Sequence, residues 1–181
     1  MKNKILAIGI DQGIANCGIS LVSIEDDHIT ILHEETLRTP SDLPTEKRLL
    51  SLYESFNRVY EKSVEYGSPA VVIGCEKLLF NKPRKTDRQV RNKSASMMLV
   101  NMVTGVIALF AGQHNLTLYQ FVPGTIKKYV AGHGRAKKEE VDAVLQHLLP
   151  PDKRFSSDHA SDSAGIGITA VRKYMEEHLS S

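Results

Sequence analysis

Lys4-Ile5-Leu6-Ala7-Ile8-Gly9-Ile10-Asp11 and, further along, Pro69-Ala70-Val71-Val72-Ile73-Gly74-Cys75-Glu76 decide the fold. Each is an apolar run that ends in an acid. Runs without polar alternation fit strands buried on both faces, as in parallel sheets covered by helices. A carboxylate at the end of such a strand is costly to bury unless something pairs with it.

Outward from the first run, Cys17 to Ile24 reads as a second strand. Glu25-Asp26-Asp27 is a polar turn and His28 to Leu37 a third strand, completing an antiparallel meander. Pro40 to Pro44 breaks the chain. Leu49, Leu52, Tyr53, Phe56, Val59, Tyr60 and Val64 then recur at helical spacing, with Thr45 as the expected cap. Gly67-Ser68-Pro69 ends that helix. After the second apolar run comes a basic loop, Lys77 to Lys93, and Ser94 opens an apolar helix to about Ala111. Leu116 to Val122 is a fifth strand. Pro123 starts a short helix that Gly132 ends. Ala136 to Leu149 is amphipathic, and Asp158 is expected to cap a last helix through His178. The order βββαβαβα predicts one α/β domain over residues 1–181, with a mixed five-stranded sheet flanked by helices. That is the pattern of the ribonuclease H-like fold.

Composition agrees. The chain has 181 residues, 41% hydrophobic and 24% charged, an ordinary globular mix that excludes disorder and coiled coil. No uninterrupted apolar run approaches the ~20 residues of a membrane span. The short apolar stretch after Met1-Lys2-Asn3-Lys4 is not a signal peptide, so a cytoplasmic protein is expected. Cys17 and Cys75 sit in apolar strands and read as buried thiols. The net charge of +2 conceals two basic blocks. Lys77, Lys82, Arg84, Lys85, Arg88, Arg91 and Lys93 form one, against Asp87 alone. Lys127, Lys128, Arg135, Lys137 and Lys138 form the other. They are either solvated faces or a surface for a polyanion.

Ligands in open α/β sheets gather at the C-terminal ends of strands. If the two apolar strands are neighbours, Asp11 and Glu76 converge, and hard oxygen donors at one point suit Mg²⁺ or Mn²⁺. The alternative is that each acid merely ends its strand. The last helix begins Asp158-His159-Ala160-Ser161-Asp162, so both His159 and Asp158 share a face with Asp162. Gly165 and Gly167 suggest that this helix packs close to the sheet. Three acids and a histidine then make a two-metal phosphodiester cleavage site. One ion would activate a water and the other stabilise the leaving oxygen, with the ions ~4 Å apart. Lys137 and Lys138 sit in a first helical turn, where cations oppose the macrodipole, which favours a phosphate role. Phe80, in the basic loop, is either a base-stacking wedge or a loop anchor.

GIDQGIANCGISLV, IGCEKLLF, IKKYVAGHGRAKKEEV and DHASDSAGIGITA, in this order over nearly the whole chain, resemble the RuvC family of Holliday junction resolvases. The resemblance implies a homodimeric endonuclease that resolves four-way junctions by paired nicks. It implies two Mg²⁺ per site, held by Asp11, Glu76, His159 and Asp162, with Mn²⁺ as a substitute. It also implies lysines near the site at Lys127 and Lys138, and a junction-stacking aromatic at Phe80. The basic side chains Lys82, Arg84, Lys85, Arg88, Arg91, Lys128, Arg135 and Lys137 are expected to hold DNA. Two-fold symmetry of the junction calls for a two-fold dimer. The helix from Ser94 to about Ala111 is too apolar for one core-facing stripe, so it is expected to pair with its copy. Rival readings are an actin-like ATPase, suggested by Gly9-Ile10-Asp11-Gln12-Gly13, a pre-ribosomal RNA nuclease of the same fold, and a non-catalytic branched-DNA module.

Overall fold

The computed structural model describes residues 4–67, 70–78 and 87–178, the side chains of 70 and 87–95 excepted. Its elements are β1 (Ile5–Asp11), β2 (Asn16–Glu25), β3 (His28–Arg38), α1 (Thr45–Glu65), β4 (Ala70–Glu76), α2 (Asp87–Gln113), β5 (Thr117–Phe121), α3 (Pro123–Ala131), α4 (Lys138–His147) and α5 (Asp158–His178). The strands form one sheet in the order β3-β2-β1-β4-β5. β1 is central, antiparallel to β2 and parallel to β4. β4 and β5 are also parallel. The two apolar runs are therefore neighbours, and Ile10 pairs with Cys75.

The sheet is covered on both sides. Ile8, Ile10, Leu21 and Ile73 point to one side, where Leu52, Phe56, Val103, Ile107 and Phe110 of α1 and α2 meet them. Phe110 lies within 6.3 Å of the rings of Tyr53, Phe56 and Tyr60, which locks α1 to α2. On the other side, Ala7, Val22 and Val72 meet Ala164, Ile168 and Val171 of α5, with α3 and α4 outside it. Double coverage explains why β1 and β4 carry no alternation. Burial pushes the Cys17 and Cys75 thiols up to about 12, so both are inert.

α5 lies on the sheet with almost nothing between. A Cβ on Gly9 would collide with the Ser163 carbonyl, and one on Gly18 with the His159 carbonyl. Gly167 contributes from the helix side, where a Cβ would come within 2.8 Å of Val22. Gly165 instead faces Ile126, Val130 and Leu145 at ordinary contact distance. The close approach thus comes mainly from glycines in the strands.

Several boundaries differ from expectation, α4 for one spanning Lys138–His147 rather than Ala136 to Leu149. α2 begins at Asp87, not Ser94. A polar helical turn leaves no hydrophobic period to read, although Arg, Gln and Lys are good helix formers. Arg88 and Arg91 therefore stand on a helix rather than a loop. Pro44, not Thr45, occupies the α1 cap position. At α5 the Ser157 hydroxyl, not Asp158, accepts the Ala160 N–H at 3.2 Å. One exclusion also weakens. Asn101, Thr104 and Gly105 interrupt the apolar run in α2, but Ser96–Gln113 as a whole is long and apolar enough to cross a membrane. Here it packs on α1 along one face, and 22% of it is buried.

Candidate active site

Asp11 and Glu76 end adjacent parallel strands, and Gln12 fixes their relative height. Its buried side-chain amide donates to the Glu76 carbonyl at 2.7 Å and accepts the Glu76 N–H at 2.9 Å. It thus extends the β1–β4 ladder by one rung through a side chain. The following loop is tied down as well. Thr39 accepts from the buried Arg48 guanidinium at 2.9 Å and donates to the Ile14 carbonyl.

Across the strand ends lies the first turn of α5. Asp11 pairs with Gly18 on β2, and the His159 backbone rests on that glycine. His159 Nδ1 donates to Asp11 Oδ2 at 2.7 Å. One turn on, Asp162 accepts from Lys138 Nζ, which reaches in from the start of α4. Lys138 also lies 3.5 Å from Asp142, one turn along its own helix. The loop before α5 is anchored to β3, because Glu34 accepts from the Ser156 hydroxyl at 2.6 Å.

Charge is concentrated here. Burial raises the Asp11 pKa first; the His159 hydrogen bond opposes it, and the Asp162 charge adds to it. Burial also raises Glu76, reinforced by the charges of Asp11 and Asp162 and opposed only by Lys138. For Lys138, partial burial pulls the pKa down, but the Asp162 hydrogen bond and charge outweigh it and the result is raised. Two strand-end carboxylates made hard to ionise, within electrostatic reach of a third, describe a place that wants a cation. Among the described residues no three His, Cys, Asp or Glu side chains stand in ready ligating geometry. The set is split into two pairs, Asp11 with His159 and Asp162 with Lys138.

The residues fit a divalent cation by chemistry. Three hard carboxylates and an imidazole suit Mg²⁺ or Mn²⁺, and Asp11 and Glu76 are uncomfortable without positive charge. Asp158 contributes to the field at Lys138, whereas His159 makes the contact to Asp11.

The family described as "Crossover junction endodeoxyribonuclease RuvC" matches residues 7–170. The chain belongs to the RuvC family. RuvC of Natranaerobius thermophilus is 30% identical over 169 residues, covering 93% of this chain and 96% of that one. RuvC of Alkaliphilus oremlandii is 29% identical over 163 residues, 90% of each chain. Thermus thermophilus RuvC, solved in complex with a Holliday junction substrate, superposes with a TM-score of 0.75 at 23% identity, covering 95% of this chain and 96% of that one. Membership makes the chain a hydrolase of the endonuclease class with the ribonuclease H-like fold.

The other expected site residues scatter. Phe80, Lys82, Arg84 and Lys85 lie outside the described residues, and Arg88 and Arg91 are known here by their helical backbone alone. Arg135 and Lys137 are exposed in the α3–α4 connection, close in sequence to Lys138. Lys127 is half-buried on α3. Lys128 lines a cavity with Ile24, Asp27, Tyr129 and Arg172. Ile24 pairs with Ile5, so that cavity is at the end of the sheet away from Asp11. Lys137 stands at the N-cap of α4, where its N–H is capped by Glu140 Oε2 at 2.7 Å and Glu139 and Glu140 add negative charge to the first turn. Sequence reasoning missed Gln12, whose only signal was a polar residue directly after the acid that ends β1.

Proposed function

We propose that the chain resolves four-way DNA junctions in the cytoplasm, as a dimer that places one nick in each of two symmetry-related strands. What supports this reading is that Asp11 and Glu76 end the neighbouring strands β1 and β4, with His159 bonded to Asp11 and the Asp162 charge felt by both carboxylates. RuvC nucleases depend on divalent metal; Mg²⁺ as the ion, and two ions per site, are our reading. Held by Asp11, Glu76, Asp162 and His159, the ions would supply Lewis-acid polarisation of the scissile phosphate and a water acidic enough to ionise near neutral pH.

The side chains divide the rest of the work. Asp11 and Glu76 give hard oxygen donors from a rigid sheet, so their positions do not drift. Asp162 and His159 close the set from α5. Lys138 brings a positive charge beside the phosphate without needing metal. Arg88, Arg91, Arg135 and Lys137 hold the backbone of the DNA arms. Phe80, four residues after Glu76 in the sequence, is the aromatic we assign to stacking at the junction.

A labelled four-way junction, a replication fork and a linear duplex, each incubated with protein and Mg²⁺, test this with cut positions mapped on every strand. Symmetric paired nicks near the crossover, and none in duplex, are expected. Equal cutting of duplex, or a preference for structured RNA, overturns it.

A further inference from the structure

We infer that Asp142 is a positioning residue that gives the Lys138 ammonium a second seat, so that Lys138 can release Asp162 to a divalent cation without leaving the active site. The inference rests on the metal reading proposed above. Lys138 Nζ stands between two carboxylates, paired with Asp162 and 3.5 Å from Asp142 Oδ1. Asp162 belongs to α5 and Asp142 to α4, the helix that carries Lys138 itself.

Asp142 is itself held. The Ser161 hydroxyl, part of a residue only 6% exposed and next to Asp162 in sequence, donates to Asp142 Oδ1 at 2.9 Å. The second seat is therefore fixed to the same turn of α5 as the first, and the two keep their spacing. An ammonium with rotatable donors on a flexible stem can pass between such seats with little rearrangement. A lysine that neutralises Asp162 in the metal-free protein competes with any cation for that carboxylate. Without Asp142, cation binding would have to expel Lys138 into solvent. With Asp142 it needs only a short shift, and the positive charge stays beside the phosphate.

The test measures Mn²⁺ binding to the DNA-free protein by calorimetry, with melting temperature as a folding control. Asp142→Asn keeps the size of the side chain and an acceptor for Ser161. It is expected to weaken Mn²⁺ binding roughly three- to fivefold, the scale of a half-exposed ion pair. Lys138→Met removes the competitor and is expected to tighten binding. In the Lys138→Met background, Asp142→Asn is expected to weaken binding clearly less than it does in the wild type, because only the through-space charge of Asp142 still acts and no lysine is left to seat. Equal weakening in both backgrounds, or no weakening in either, overturns the two-seat inference. Asp162→Asn separates that failure from failure of the metal reading: if it leaves Mn²⁺ binding at wild-type strength, the metal site itself is wrong.

Discussion

Asp11 and Glu76 are held in a state that function needs and stability does not. Both have raised pKa values because burial and neighbouring carboxylates penalise the ionised form. The sign of the linkage follows. In the metal-free fold these acids hold protons at a pH where the unfolded chain has lost them. Stability therefore rises as pH falls from neutral through their folded-state pKa values, and this gain levels off at the unfolded ones. Asp11→Asn and Glu76→Gln are expected to raise the melting temperature at pH 7 in EDTA, by roughly 2–4 °C if the relief is near 1 kcal/mol. Each should also flatten this part of the pH–stability curve. A lower melting temperature at pH 7 would contradict the charge-crowding account. The same variants, with Asp162→Asn, should lose nicking by more than about a hundredfold, beyond the cost of an outer hydrogen-bond partner, and still bind junctions. Gln12→Ala is the informative contrast. It removes only the rung that sets Glu76, and a loss of about tenfold in nicking rate is expected, with junction affinity unchanged.

At the scale of elements, the site depends on how closely α5 lies on β1 and β2. Gly18 is the tightest constraint, because the His159 carbonyl occupies the space a side chain would take. Gly18→Ala must lift the start of α5 and carry His159 away from Asp11. The expected result is a stability loss of about 1–3 kcal/mol, the range for overpacking, measured by urea unfolding. Nicking should fall far more steeply than folding does, and wild-type nicking in a folded Gly18→Ala protein would refute the role given to the contact. Here the limits of the sequence are visible. Long apolar strands ending in acids, and the periodic face of α1, were legible because burial on two faces leaves an unbroken apolar run and burial on one face leaves a helical period. Close approach was inferred from Gly165 and Gly167, yet Gly9 and Gly18 do most of it. A glycine in a strand carries no sign of which face a helix will press upon. The first turns of α2 were illegible for a related reason: a polar helical turn has no hydrophobic period. Gln12 went unread because its partner is a backbone group 64 residues away, a contact that topology creates.

At the scale of the whole molecule, α2 carries an apolar stripe that no other described residue covers. On α2, Val103, Ile107 and Phe110 are buried against α1 and the sheet, but Met98 is 57%, Met102 37% and Leu109 58% exposed. Their positions, with Gly105 and Gly112 among them, follow a spacing of four and three residues, so they line one stripe opposite the buried face. Nothing within 4 Å would meet a Cβ at either glycine, so the stripe has shallow places where another helix could lie close. Exposing such a stripe costs about 25 cal/mol per Å² that could be buried, which favours a covering partner. A second copy of the same helix is the partner most consistent with paired nicks, since a two-fold axis through α2 makes the stripe self-complementary. Met102→Glu places a charge near the middle of that contact, on a side chain already part-exposed, so the monomer should fold unharmed. Light scattering at micromolar concentration is expected to give twice the chain mass for the wild type and the single-chain mass for the variant. Junction cutting by the variant should then break up into single, uncoordinated nicks. A wild type of single-chain mass would remove the dimer, and coordinated double nicking would need a different explanation.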